Sequence, residues 1–382
     1  MLPLAVYIHW PFCKAKCPYC DFNSHVRDKV NHPDWRAAFA RELAFYRDET
    51  GARKIHSVFF GGGTPSLMEP ETVETVIKTI DDLWGLPADI EITLEANPTS
   101  VETGKLQGFR AAGVNRVSLG VQALDDDALH KLGRQHSAVE AMAAVDIAAS
   151  IFDRYSFDLI YARPDQTVDM WRDELTAALD RGPSHLSLYQ LTIEEGTLYY
   201  TLHQRGELKV PDENTAADLY ELTQDITAAR GLPSYEISNH ARAGQESRHN
   251  LAYWRYYDYV GIGPGAHGRI TKGGDKWATR AHKVPELWMD RVNKTEHGSH
   301  PFESIDVSRR GAEMLMMGLR LHEGVPLDAF AKETQTPLSQ FIDMGRVAAL
   351  QDEGLLELTD QHIRATSAGR QRLNALLAHL MA

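Results

Sequence analysis

All three cysteines of this 382-residue chain fall in one run, Cys13-Lys-Ala-Lys-Cys17-Pro-Tyr-Cys20. Three thiolates on so short a loop can hold three irons of a cubane iron–sulfur cluster and leave the fourth iron without a protein ligand. An open iron can bind a substrate or cofactor, much as an open position on zinc marks a catalytic site. A zinc ion is the alternative, and it needs a fourth donor that His9 or Asp21 could supply. A disulfide framework leaves one thiol over. Incidental packing of small hydrophobes sits badly with Lys14 and Lys16 in the same loop.

The elements that must position this loop read as alternating strands and helices. Six β-like runs, Leu4–His9, Ile55–Phe60, Ile90–Glu95, Asn115–Gly120, Tyr155–Ile160 and His185–Leu191, carry the Val, Ile, Leu, Phe and Tyr that strands prefer. Helical segments lie between them, among them Pro33–Glu49, Glu71–Leu83, Val101–Ala112 and Thr167–Asp180. Such alternation predicts a parallel sheet covered by helices. The cysteine loop, Gly61-Gly62-Gly63-Thr64-Pro65, Glu95-Ala96-Asn97-Pro98, Val121-Gln122 and Asp158 all fall at or just past the C-terminal end of a run. That is the face where (β/α) barrels collect their active sites. Three glycines let a backbone approach a ligand at dihedrals other residues avoid, although alone they are equally a plain turn. Glu95 could accept hydrogen bonds from hydroxyl groups or simply end its strand in solvent. Gln122, Arg134 and Asp158 are polar groups at the same mouth, with the same two readings.

After about Gly196 the alternation fades. Asp212–Arg230 reads as one amphipathic helix, and Arg248–Gly268 is rich in glycine and aromatics. Helices follow at Arg309–Leu321, Pro326–Glu333 and Leu338–Glu353. A hairpin, Leu355–Ala365, turning at Thr359-Asp360-Gln361, and a last helix from Ser367 complete a winged-helix-like pattern. From Phe302 onward the chain holds 8 Lys/Arg and 11 Asp/Glu. A DNA-binding winged helix would be basic, so this module is expected to pack on the barrel or close it.

The Cys-x3-Cys-x2-Cys spacing is similar to that of radical S-adenosylmethionine (radical SAM) enzymes, whose unique iron is chelated by the amino and carboxylate groups of SAM. In those enzymes an electron from the reduced cluster cleaves SAM to a 5′-deoxyadenosyl radical. Tyr7-Ile-His-Trp-Pro-Phe-Cys13, Cys17-Pro-Tyr-Cys20-Asp-Phe-Asn-Ser, Gly61-Gly-Gly-Thr-Pro65-Ser, Leu94-Glu-Ala-Asn-Pro98, Gly120-Val-Gln122, Leu132-Gly-Arg134 and the surroundings of Asp158 closely resemble the coproporphyrinogen III dehydrogenase-like branch of that superfamily. The resemblance runs from Tyr7 to about Gly268. It implies an α/β fold: a partial (β/α)6 TIM-type radical SAM barrel over residues 1–270, its extension carrying the His249 motif, and a small, mainly helical C-terminal domain over 300–382. It implies a [4Fe-4S] cluster on Cys13, Cys17 and Cys20. It also implies SAM contacts from Tyr7, Tyr19, Gly62, Gly63, Thr64, Glu95, Gln122, Arg134 and Asp158, the glycine loop taking the methionine end and Glu95 the ribose. One departure is Ala162-Arg163-Pro164-Asp165-Gln166-Thr167, where relatives usually carry Gly-Leu-Pro-Gly-Gln-Thr.

The family divides into the HemN oxidases, which decarboxylate two propionates of coproporphyrinogen III, and the HemW haem chaperones. HemN carries a fourth cysteine two residues after the third and an N-terminal extension; here that position is Phe22, and three residues precede the first strand. His249-Asn250-Leu251-Ala252-Tyr253-Trp254 resembles the His-Asn-x-x-Tyr-Trp motif associated with haem in the chaperones. Imidazole ligates haem iron, and flat aromatics can cover a porphyrin, so the resemblance implies haem on His249, Tyr253 and Trp254. A hydrogen-bonded histidine in an aromatic packing cluster is the competing reading, and His267 is the rival donor. The expectation is therefore a haem chaperone with no catalytic residue, lacking coproporphyrinogen III dehydrogenase activity, that passes haem to an acceptor protein and takes electrons from a donor. The alternatives are a porphyrinogen oxidoreductase and a radical SAM RNA-modifying enzyme.

Composition narrows the partners. A net charge of −13, from 40 Lys/Arg and 53 Asp/Glu, argues against broad nucleic-acid binding. No apolar run nears the roughly 18 residues that span a bilayer. The start of the chain lacks a basic n-region and reads as a strand rather than a secretory signal. Thiols kept reduced for a cluster place the protein in the cytosol.

Overall fold

A computed structural model describes residues 3–382. Strand β1 is Leu4–Trp10, β2 Ile55–Gly62, β3 Glu91–Ala96, β4 Arg116–Gln122, β5 Arg154–Tyr161 and β6 His185–Gln190. They pair in sequence order, all parallel. Leu4, Val6, Ile8, Val58, Phe60, Leu94, Val117, Leu119, Phe157, Leu159, Leu186 and Leu188 form their buried core. The helices packed on them, His32–Thr50, Pro70–Trp84, Ala138–Ile151 and Val168–Leu179, turn Phe39, Leu43, Val76, Ile80, Ala144, Ala148, Trp171 and Leu175 into that core. A parallel sheet covered by helices is what βα alternation requires.

Beyond the six expected strands the sheet gains five. β7, Asn239–Ala241, pairs antiparallel with β6, while β8, Asp258–Ile262, lies parallel to β1 on its other side. β9, His267–Lys272, β10, Asp275–Arg280, and β11, Glu303–Ile305, extend that edge antiparallel. The order is β11-β10-β9-β8-β1-β2-β3-β4-β5-β6-β7, an open, barrel-like sheet with two free edges. Within the aromatic stretch after Arg248, the structure thus places a helix, Arg248–Trp254, and strand β8.

Two expected helices are broken. Val101–Ala112 divides into Ser100–Thr103 and Leu106–Ala111, and Leu338–Glu353 divides into Leu338–Phe341 and Met344–Asp352. In the second, the Asp343 carboxylate accepts from the Gly345 N–H and starts a new helix. The C-terminal module has its own core of Leu315, Leu319, Phe330, Val347, Leu356, Ile363 and Leu376. Its hairpin, Leu356–Leu358 with His362–Ala365, gains a third strand at Val325–Pro326. Charged groups tie it to the barrel. Glu313 accepts from Arg269 and from the Tyr256 hydroxyl at 2.7 Å, and buried Lys276 lies 3.5 Å from both Asp258 and Glu333. Among the described residues no helix is long and apolar enough to cross a membrane.

Candidate functional site

The cysteine loop leaves the end of β1. A two-residue parallel pairing of Phe12–Cys13 with His25–Val26 closes it, and the Cys20 N–H donates to the Cys17 carbonyl at 3.2 Å. All three sulfurs line one cleft of about 900 Å³ and are partly exposed to it. Burial pushes the Cys13 and Cys20 thiols up, while hydrogen bonds from Thr64 to Cys13 and from the Phe22 backbone to Cys20 pull them down. His9 does not join them: its Nε2 bonds to the Asn23 carbonyl at 2.9 Å and its Nδ1 to the Tyr7 hydroxyl at 3.1 Å. Among the described residues no three His, Cys, Asp or Glu converge tightly enough for one ion. A cubane places each thiolate on a different iron, so it does not need the three to converge on one ion.

The glycine loop is wedged against the cysteine loop. The Gly63 N–H donates to the Trp10 carbonyl at 2.7 Å and the Thr64 N–H to the Phe12 carbonyl at 2.9 Å. Gly62 has φ +111°, and a Cβ there would stand 2.6 Å from the His9 ring; one on Gly63 would stand 2.8 Å from the Phe12 carbonyl oxygen. Only glycine meets both demands. The Thr64 hydroxyl donates to Cys13 Sγ at 3.3 Å and accepts from Asn97 Nδ2 at 3.3 Å. Arg134 Nη2 reaches Asn97 Oδ1 at 2.5 Å and the Gly120 carbonyl at 2.7 Å, and its Nη1 lies 3.6 Å from Cys17 Sγ. Arg134 thus ties two strand ends, those of β3 and β4, to the cysteine loop. Asn97, read in the sequence only as part of the Glu95–Pro98 run and not as a site residue, is the relay between Arg134 and Thr64.

Glu95, at the end of β3, and Asp158, in β5, face the same cleft. Burial, and then the neighbouring Asp158, push the Glu95 carboxyl up to about 8, while the Gly62 N–H and Arg116 oppose the shift. Burial pushes Asp158 up to about 6, held back by Ser187 and Ser118. Gln122 ends β4 at φ +73°, where the pairing with β5 shifts register. A non-glycine residue there is strained, and strain of this kind collects at ligand sites. Tyr19, Gly62, Gly63, Thr64, Glu95, Gln122, Arg134 and Asp158 all line the cleft. Tyr7 does not; its ring lies under Gly61, where a Cβ would meet it at 2.9 Å.

The structure places His249 apart from the cleft. The side chain is only 1% exposed. Its Nδ1 bonds to the Ser57 hydroxyl at 2.9 Å, its Nε2 to the Tyr253 hydroxyl at 2.8 Å, and its ring stacks on Phe59. Burial depresses the imidazole to about 3. Neither nitrogen is available to iron in this arrangement, and none of His249, Tyr253 and Trp254 lines the cleft. The rival His267 is exposed on β9 and is also outside it. In the departing loop, Ala162 and Asp165 hold φ +56° and +63°, the left-handed conformation that favours glycine. Arg163 there forms a two-pronged buried pair with Glu174.

Comparison with known proteins agrees with this geometry. A family model described as the radical SAM superfamily matches residues 7–178, and one described as the HemN C-terminal domain matches 306–372. The fold and site define a radical SAM protein, a class whose cofactors are a [4Fe-4S] cluster and SAM. "Heme chaperone HemW" of Haemophilus influenzae is 37% identical over 390 residues, covering 98% of this chain and 97% of that one. "Radical S-adenosyl methionine domain-containing protein 1, mitochondrial" of Bos taurus is 39% identical, covering 99% of this chain and 87% of the relative. The solved structure of Escherichia coli HemN, a coproporphyrinogen III oxidase, covers 99% of this chain and 90% of its own with TM-score 0.82 at 21% identity, a likeness of fold. The chain belongs to the HemN/HemW family of radical SAM proteins.

Proposed function

We propose that this protein is a haem chaperone of the HemW type, which binds one haem in the cleft and passes it to an acceptor protein in a reducing compartment, the cytosol. Cys13, Cys17 and Cys20 carry the cluster. Gly62, Gly63 and Thr64 take the methionine end of SAM, Glu95 its ribose, and Tyr19, Gln122, Arg134 and Asp158 the rest of the wall, with Tyr7 supporting from beneath. When bound, the reduced cluster can supply an electron to SAM. The protein's own groups orient SAM, keep Thr64 and Arg134 against the Cys13 and Cys17 sulfurs, and hold a proton on the Glu95–Asp158 pair until a ligand enters.

The observation that carries the chaperone reading is Phe22. It is 59% exposed and lines the cleft beside the cysteines, at the position where the HemN branch carries a fourth cysteine. An exposed apolar ring there suits contact with a flat tetrapyrrole rather than ligation. The full-length likeness to proteins named as haem chaperones supports the same choice.

Haem titrated anaerobically into cluster-reconstituted protein should saturate at one per chain and then move to an apo-haem protein on mixing. With reductant and SAM, the same sample should leave coproporphyrinogen III unchanged. Protoporphyrinogen IX formation above a cluster-free control overturns the assignment.

A further inference from the structure

The cleft extends well past the SAM candidates, to a wall made by the C-terminal module. Of the 8 basic and 11 acidic residues from Phe302 to the end, three arginines and no acid face the cleft: Arg320, Arg370 and Arg372. An acidic module that turns only positive side chains to a cavity has its charge sorted by face. We propose that these three arginines form a carboxylate subsite that receives the propionate side chains of the tetrapyrrole, an inference that rests on the haem reading above.

Two of the three arginines have no acidic partner among the described residues, and the third is held in place by one. Arg370 donates to the Ala365 carbonyl at 2.7 Å and bonds to the Tyr220 hydroxyl, and among the described residues it forms no ion pair. Burial, and the positive Arg364 nearby, push it down from the usual guanidinium range. A carboxylate brought alongside would relieve both effects. Arg372 is exposed and likewise forms no ion pair among the described residues. Arg320 is held rigidly: it lies 3.2 Å from Glu236 and 4.4 Å over the Trp254 ring, and its buried Nε has no partner. The final helix, Leu373–Met381, begins on this wall with no side-chain cap, and its first-turn residues Leu373 and Asn374 line the cleft. The N-terminal end of a helix adds to the positive field.

A guanidinium presents donors in a fork that matches a carboxylate. Haem carries two carboxylates, whereas SAM has one, which the glycine loop takes. At about 900 Å³ the cleft is near the upper end of small-molecule sites, room for a tetrapyrrole beside SAM. Trp254, in the His-Asn-x-x-Tyr-Trp segment, thereby acts on this subsite through Arg320 and not as a wall of a pocket around His249.

The test compares haem with haem dimethyl ester, whose propionates are uncharged, on cluster-reconstituted wild type, Arg370→Ala and Arg372→Ala. Iron content and SAM affinity are measured alongside. Arg372 is exposed, so its variant guards against a folding defect in Arg370→Ala. Wild type should bind haem about tenfold or more tightly than the ester, given about 1.5–3 kcal/mol for a hydrogen bond to a charged group. Both variants should lose most of that preference with iron content and SAM affinity unchanged. Equal affinity of wild type for acid and ester refutes the subsite while leaving the haem reading intact. Variants that weaken SAM as much as haem also refute it, because the arginines would then serve SAM. A wild type that binds SAM but neither tetrapyrrole overturns the haem reading and the subsite with it.

Discussion

Replacing Glu95 by Gln should make the SAM-free protein more stable at alkaline pH and a weaker SAM binder. In the folded protein the Glu95 carboxyl is raised from 4.5 to about 8 by burial and by Asp158. A raised acid binds its proton more tightly folded than unfolded, so stability is full below about pH 4.5 and is lost as pH rises toward 8. At about 1.4 kcal/mol per tenfold change in proton affinity, the ceiling on that loss is about 5 kcal/mol. Glu95 faces an open cleft and shares its shift with Asp158, so about 1–3 kcal/mol is the expected gain in Glu95→Gln at pH 8.5. Below pH 5 the two proteins should unfold alike. Urea unfolding followed by circular dichroism at pH 5 and pH 8.5 gives the stability arm, and equilibrium dialysis of SAM on reconstituted protein gives the other. There the variant should bind about tenfold more weakly, since one charged acceptor is lost. If the variant shows the same stability difference at both pH values, the raised carboxyl is not the cause and the electrostatic argument fails. If SAM affinity is unchanged, Glu95 does not touch the ligand.

Cys17→Ser should abolish the cluster outright, iron and sulfide analysis after anaerobic reconstitution falling from about four of each per chain to near zero; retention of the full complement would mean the ligand set is wrong. Ala162→Gly and Asp165→Gly should each stabilise by about 0.5–1 kcal/mol in chemical denaturation, because the left-handed conformation there costs a non-glycine residue about 1–2 kcal/mol and glycine gives back part of the gain in unfolded-chain entropy. His249→Ala should lower stability by about 2–4 kcal/mol through a lost ring and two orphaned hydroxyls, yet keep the one-to-one haem absorbance; loss of that absorbance in a variant that still folds and binds SAM would return His249 to the role of ligand.

What could be read from the sequence was what is local. The six parallel strands are apolar runs of fixed length, and β1 to β6 begin and end within two residues of where alternation and flanking polar groups put them. The cluster loop and glycine loop were legible for the same reason: spacing within eight residues and φ demands within three need no knowledge of distant chain. Breaks in regular elements were legible only in part. Ser137 and Glu140 form a capping box for helix Ala138–Ile151, a local signal of the Ser-x-x-Glu kind. The splits at Gly104 and Asp343 hid inside otherwise periodic stretches. His249 shows where such reading stops. Its residue type announces a possible iron donor, but its partners are Ser57, 192 positions earlier, and Tyr253 on its own helix, and nothing in the run His249–Trp254 reveals that both nitrogens are taken. The arginine wall is the opposite case. Arg320, Arg370 and Arg372 looked like scattered charges in a module of net −3, and only the tertiary fold separates them from eleven acids that all face elsewhere. A chain can therefore advertise the chemistry it shares with a superfamily through one short loop, while on the proposal above the choice of what enters beside SAM rests on Phe22 at the edge of that loop and on arginines some 300 residues away, on the wall of the cleft that the C-terminal module builds.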